Sequence, residues 1–167
     1  MGDLSAVKSF QSKFGMKADG IAGPKTKDML VRATPDWTNQ TNGIYPSSGF
    51  TRNEIQLIAQ TIHGEARGEP YMGQVAVGAV ILNRLGDPAF PKTISDVIFQ
   101  PGAFTAVSDG QIWLTPNADS YSAAHDAING WDPTGEAIYY FNPYTATSKW
   151  IWSRPQIKKI GKHIFAK

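Results

Sequence analysis

A mainly helical α+β fold is what this 167-residue sequence predicts, and three observations lead there. The middle of the chain carries apolar residues at helical spacing. The far end carries short aromatic and β-branched runs broken by Asn-Pro, Arg-Pro and Gly-Lys. Between the first thirty-odd residues and the rest lies a stretch rich in Thr, Asn, Ser, Gly and Pro (TPDWTNQTNGIYPSSGF) that has no periodicity. With 41% hydrophobic and 18% charged residues, including eight Phe, five Trp and six Tyr, there is ample material for a core. The divisions fall at residues 1–33, a small helical piece; 34–50, a linker; and 51–167, the main domain.

The elements follow in order. In the first piece Val7, Phe10, Gln11 and Phe14 share a helix face, Asp19-Gly20 and Gly23-Pro24 punctuate, and Pro24 opens a second helix with Met29 and Leu30. Thr51 and Glu54 form a capping box, each satisfying the other's free backbone amide. The helix behind it carries Ile55, Ile58 and Ile62 on one stripe. A second helix runs from about Pro70 to Arg84; its VAVGAVIL run is apolar nearly all round, so it is expected to be the central buried helix. A third spans about Asp119–Asn129, with Tyr121, Ala124, His125 and Ile128 on one face and Gly130 as its stop. Ala137–Phe141, Trp150–Trp152 and Ile164–Phe165 then read as strands of a small antiparallel β arm.

Composition excludes several chemistries. With no cysteine there is no disulfide framework, thiolate metal site or cysteine nucleophile. The longest apolar stretch, Val75–Leu82, is too short to span a membrane. The three histidines do not sit at His-Glu-x-x-His spacing, and neither a Gly-x-Ser-x-Gly elbow nor a phosphate-cradling glycine loop is present. Neither a metal nor another cofactor is expected. The net charge of +2 hides a partition: residues 51–136 hold four basic and ten acidic groups, whereas 137–167 hold six basic groups (Lys149, Arg154, Lys158, Lys159, Lys162, Lys167) and no acidic one. Such an arm either balances the acidic middle or faces an anionic polymer.

One residue breaks the pattern. The stripe through Ile55, Ile58 and Ile62 next reaches Glu65, which sends a carboxylate toward the core. An unpaired buried carboxylate takes up a proton, and a carboxyl protonated near neutral pH is what a general acid needs. The alternative is an ion pair with Arg67, Arg84 or His63. Glu69, next to Pro70, is expected to serve as a cap or dipole partner for the following helix. Nine aromatics between Trp113 and Trp152 offer flat apolar faces for sugar rings, with Gln74, Asn142 and tyrosine hydroxyls for the sugar oxygens.

The blocks IHGEARGEPYMGQVAVGAVILNR, FPKTISDVIF, AFTAVSDGQIWLTPN, INGWDPTGEAIYYFNPYTATSKWIW and RPQIKKIGKHIF, in that order, resemble the catalytic domain of the spore cortex-lytic enzymes. This is the SleB/CwlJ cell-wall hydrolase family, and the likeness is to its SleB type. The resemblance implies a lysozyme-like, lytic transglycosylase-like helical domain acting on the MurNAc–GlcNAc bond of cortex peptidoglycan at germination. It implies Glu65 as the catalytic acid and, by motif position, Gln74, Tyr139, Tyr140, Asn142, Trp150 and Trp152 as substrate-binding residues. It also implies an extracytoplasmic place at the cortex and inner spore envelope, muramic-δ-lactam as a candidate recognition element, and a partner protein restraining the enzyme in the dormant spore. Nucleic acid is not an expected partner. A hydrolytic muramidase remains open, with Asp87, Asp96, Asp109, Asp132 or Glu136 as second carboxylate, and so does a non-catalytic wall-binding protein. A metal-dependent amidase ranks last.

AVKSFQSKFGMKADGIAGPKTKDML is similar to the end of a common peptidoglycan-binding repeat, so residues 1–33 read as a partial module. The missing first half reads as truncation, which would also remove any signal peptide. Ala166 departs from the family's Phe-Cys-Lys ending.

Overall fold

The computed structural model describes residues 4–13, 17–21 and 49–167. In the N-terminal piece α1 spans Leu4–Lys13. Its Gln11 is buried: the side-chain amide donates to Asp19 Oδ1 (3.0 Å) and Ile21 O (3.1 Å), and its Oε1 accepts from Gly20 N (2.9 Å). Gly20 sits at φ 77°, so the Asp-Gly turn is folded around one glutamine. The second helix expected at Pro24 and the linker up to residue 48 lie outside the described residues, as does Phe14.

The main domain is built on α2 (Arg52–Ala66), α3 (Tyr71–Gly86) and α6 (Ala118–Ile128), which pack on one another. The capping box is formed: Glu54 N donates to Thr51 Oγ1 (3.1 Å) and Thr51 N to Glu54 Oε1 (3.3 Å). Ile55, Ile58 and Ile62 are buried as their spacing predicts, and α3 is the central helix, with every residue from Gly73 to Ile81 buried. α6 is capped by Asn117, whose Oδ1 accepts from Ser120 N (2.9 Å). Between α3 and α6 run three short elements that periodicity does not reveal: α4 (Ile94–Phe99), α5 (Thr105–Ser108) and a 3-10 turn (Gln111–Trp113). They press Ile94, Val97, Ile98, Phe104, Ala106 and Ile112 into the same core.

A three-stranded antiparallel sheet follows, with β1 (Tyr139–Phe141) and β2 (Gln156–Ile160) at the edges and β3 (His163–Ala166) between them. Tyr139 pairs with Ala166 and Tyr140 with Phe165. Phe165 and Ala166 are fully buried, and Phe165, with Ala76, Val80, Ala137 and Ile160, docks the sheet on α3.

The expected arm is therefore present, with one correction. Trp150–Trp152 is not a strand; it lies in a helical turn, α7 (Lys149–Trp152), capped by Ser148, whose Oγ accepts from Ile151 N (3.4 Å). The third strand is instead Gln156–Ile160, whose exposed Lys158 and Lys159 mask its alternation. As an edge strand it buries little, and its lysines discourage pairing with another chain. Among the described residues no helix is long and apolar enough to cross a membrane.

Candidate active site

Glu65 lies in the last turn of α2 and is partly buried, at the rim of the core and not within it. Its Oε1 accepts a hydrogen bond from Ala106 N (2.8 Å), and the Tyr140 hydroxyl and the Thr105 amide face the carboxyl closely enough to favour its charged form. Phe104, the residue that opens α5, offers no side-chain cap. Glu65 thus supplies the acceptor that the first amides of α5 lack. Burial pushes the carboxyl above its ordinary range, opposed by the Ala106 amide and Tyr140 hydroxyl and assisted by the negative charge of Asp109.

The competing ion pairs do not form. Arg67 donates to His63 O (3.2 Å) and to Gln111 Oε1, and His63 Nδ1 lies 3.4 Å from Ser120 Oγ. Arg84 is buried, with Nε donating to Ile138 O (2.7 Å). Its guanidinium is stacked on Phe90, Phe104 and Tyr139 at 5.0–5.6 Å. Glu65 makes no salt bridge among the described residues.

This has a consequence for stability. A carboxyl raised on folding contributes most when it is protonated in both states, at pH below the ordinary glutamate value. The contribution is lost as pH rises through the raised folded value. Glu65→Gln removes that titration, so its melting temperature relative to wild type should rise as pH climbs above the ordinary glutamate range, as checked by thermal melts from acid to neutral pH.

The aromatic residues separate onto two faces because side chains alternate along β1. Tyr139 and Phe141 point one way, where Trp150 meets Tyr139 edge-on at 5.0 Å and Trp152 meets Phe141 at 4.9 Å. Both indoles remain about half exposed (53% and 43%), and the Arg154 guanidinium lies over Tyr139 and Trp150. Tyr140 points the other way, toward Glu65, and touches Phe104, His163 and Phe165. Asn142 forms a local turn, its Oδ1 accepting from Tyr144 N (2.9 Å). Gln74 is buried; its amide donates to Glu69 O (3.3 Å), and its Oε1 is buried without a hydrogen-bond partner. Of the predicted site residues, the structure brings Tyr140 to Glu65 and groups Tyr139, Trp150 and Trp152 on a separate exposed surface.

Glu69 is not a helix cap. α3 opens at Pro70 without a side-chain cap, and Glu69 reaches across to the β2–β3 turn, where its Oε2 accepts from Lys162 N (3.2 Å).

The five candidate second carboxylates also separate. Asp132 is engaged by Asn83, Thr134 and the Glu136 amide. Asp96 lies in the exposed first turn of α4. Asp87 and Glu136 line an open hollow of about 480 Å³ that contains none of the groups bonded to Glu65. Asp109 alone of the five acts on Glu65 by its charge; it follows α5 and accepts from Gln111 N (3.0 Å) and Gln111 Nε2 (2.7 Å). No cluster of three or more metal-ligating side chains occurs among the described residues. Sequence reasoning missed the α5 amides and the aromatic cage of Arg84. The alternation at Tyr139–Phe141 was the available signal for parting the two tyrosines.

The chain belongs to the cell wall hydrolase family: residues 68–166 match the Cell Wall Hydrolase family, and residues 4–30 match a putative peptidoglycan binding domain. Within that family its relatives include spore cortex-lytic enzymes. That of Bacillus cereus is 56% identical over 99% of this chain and 73% of its own length. That of Bacillus subtilis is 67% identical over 70% of this chain and 38% of its own length. The catalytic domain of the germination-specific lytic transglycosylase SleB from Bacillus anthracis superposes with a TM-score of 0.70 at 67% identity. That superposition covers 74% of this chain and all of the other.

Proposed function

We propose that this chain is a lytic transglycosylase that cleaves the MurNAc–GlcNAc bond of spore cortex peptidoglycan, with Glu65 as its proton donor. The observation that carries the assignment is the environment of Glu65: a partly buried carboxyl, raised by burial, with no ion pair among the described residues, bonded by the Ala106 amide and faced by the Tyr140 hydroxyl. In this reading protonated Glu65 gives its proton to the glycosidic oxygen as the bond to muramic C1 breaks. The carboxylate left behind accepts hydrogen bonds from Ala106, Thr105 and Tyr140. It then takes the proton of the muramic C6 hydroxyl as that oxygen closes on C1, leaving a 1,6-anhydro end and restoring the acid. No water is consumed, so a second carboxylate is not required to activate one.

The exposed surface of Tyr139, Trp150 and Trp152 offers ring faces to the sugars, while Arg154 and the neighbouring lysines suit the anionic groups of the wall. Gln74, buried, and Asn142, engaged in its own turn, are given no direct sugar contact. The enzyme acts outside the cytoplasmic membrane, where peptidoglycan lies, and in this reading at the cortex and inner spore envelope. Muramic-δ-lactam as a recognition element and a restraining partner protein belong to the same reading.

Asp109 favours a second reading, a hydrolytic muramidase in which it activates water, because its charge reaches Glu65. Mass spectrometry of digested cortex decides between them. Anhydro-muramic ends are expected; reducing muramic ends that disappear in Asp109→Asn would replace the transglycosylase with the muramidase.

A further inference from the structure

Both glutamates of the Gly-Glu-Ala-Arg-Gly-Glu segment end up around one tyrosine, although only Glu65 touches it. Glu69 leaves the end of α2 and holds the β2–β3 turn: its Oε2 accepts from Lys162 N at 3.2 Å, and its Oε1 lies 3.9 Å from His163 Nδ1. The turn fits tightly. Gly161 takes φ 58°, and a Cβ there would collide with the Glu69 carboxylate and meet Pro70 Cδ at 3.0 Å. The next residue but one, His163, places its ring 5.0 Å from that of Tyr140 at 61°, edge to face. Tyr140 in turn directs its hydroxyl toward the Glu65 carboxyl. Glu69 and His163 contact neither the Glu65 carboxyl nor the exposed aromatic surface.

We propose that Glu69 and His163 are positioning residues for the proton donor. Glu69 anchors the β2–β3 turn to the end of α2, and the His163 ring carried by that turn fixes Tyr140 with its hydroxyl on Glu65. This rests on Glu65 being the acid. A phenol is free to swing about its side-chain torsions unless its ring is packed, and a hydrogen bond to a reacting carboxyl works only when it is pre-oriented. Phe104 and Phe165 pack on the Tyr140 ring at 6.5 and 5.7 Å, and His163 is its nearest ring neighbour at 5.0 Å. The charged or titratable groups facing Tyr140 are Glu65 from α2, Arg84 from α3 and His163 from β3. Asp109, beyond α5, faces Glu65. Burial holds the His163 imidazole below its ordinary range, so near neutral pH the ring acts as a packed neutral aromatic.

The Tyr140 hydroxyl holds the Glu65 carboxyl down. Loosening Tyr140 should therefore raise Glu65 further and move the alkaline limb of the rate profile to higher pH, while the maximal rate falls. The test measures kcat and KM on soluble cortex glycan strands across pH for wild type, Tyr140→Phe, His163→Ala, Glu69→Ala, Glu69→Gln and Glu65→Gln. Tyr140→Phe, His163→Ala and Glu69→Ala are expected to lower kcat about tenfold, the loss when one hydrogen bond to a charged group is weakened. KM should stay within about twofold, and all three limbs should move upward. Glu69→Gln keeps an acceptor for the Lys162 amide and should stay closer to wild type than Glu69→Ala. A merely structural role lowers the rate at every pH and leaves the limb in place, because a smaller folded fraction changes amplitude and not position. Limbs at the wild-type pH in His163→Ala and Glu69→Ala would overturn the proposal. If Glu69→Ala does not fold, His163→Ala alone decides. If Glu65→Gln retains cleavage, the acid assignment fails; if it is inactive and the limbs do not move, only the positioning role fails.

Discussion

Glu65→Gln is expected to abolish the release of soluble fragments from purified cortex peptidoglycan, with a rate reduction of at least about 10²–10⁴-fold, the usual contribution of a positioned general acid. Glutamine is nearly isosteric and keeps a carbonyl oxygen to accept the Ala106 amide, which lies 2.8 Å from the native carboxyl. The variant should therefore fold and still sediment with the wall polymer. Loss of cleavage with retained binding separates a catalytic role from a structural one, and also from a non-catalytic wall-binding protein. Fragment release at a rate comparable to wild type would remove Glu65 from the mechanism.

The second large effect is expected at the residue before it. Gly64 is helical and faces the segment that holds Glu65: a Cβ at this position would lie 2.6 Å from Ala106 Cβ and 3.4 Å from backbone atoms of Gln111 and Ile112. Alanine ordinarily favours a helix interior over glycine by about 0.5–1 kcal/mol. Here the clash outweighs that gain, because the neighbours are a methyl group rooted on the backbone and a 3-10 turn, and neither is the far end of a flexible side chain. Gly64→Ala should cost about 1–3 kcal/mol of stability, in line with overpacking elsewhere. It should also reduce activity about 10²-fold, since displacing α5 by about an ångström moves the Ala106 amide off Glu65. Thermal melting and cleavage assays measure both. The paired variant Gly64→Ala with Ala106→Gly restores the space and should recover most of the loss; absence of recovery would show that the close approach is not the cause.

The helical half of the molecule was legible because its signals are local. The Thr51–Glu54 box and the Ile55–Ile58–Ile62 stripe fix α2, and the apolar run from Val75 fixes α3, before any tertiary contact is considered. The same phase led to Glu65. What was not legible depends on distant partners. Trp150 and Trp152 have the composition of a strand, yet a serine cap and two rings on β1 settle them into a helical turn. Lys158 and Lys159 conceal β2, because an edge strand buries too little to show a period of two. Glu69 beside Pro70 looks like a helix cap, and only the return of the chain at Lys162 shows what it binds. The α5 amides carry no side-chain signature at all, since backbone donors are the same in every sequence.

The strand order has a consequence in time. β3 lies between β1 and β2, and the contact that ties its turn to Glu69 spans 93 positions of the sequence. During synthesis the helices that display Glu65 can pack long before β3 leaves the ribosome. Until then Tyr140 sits on an unpaired strand, and Glu65 lacks its hydroxyl neighbour. The surroundings of Glu65 are in this way completed last, in the step that closes the sheet.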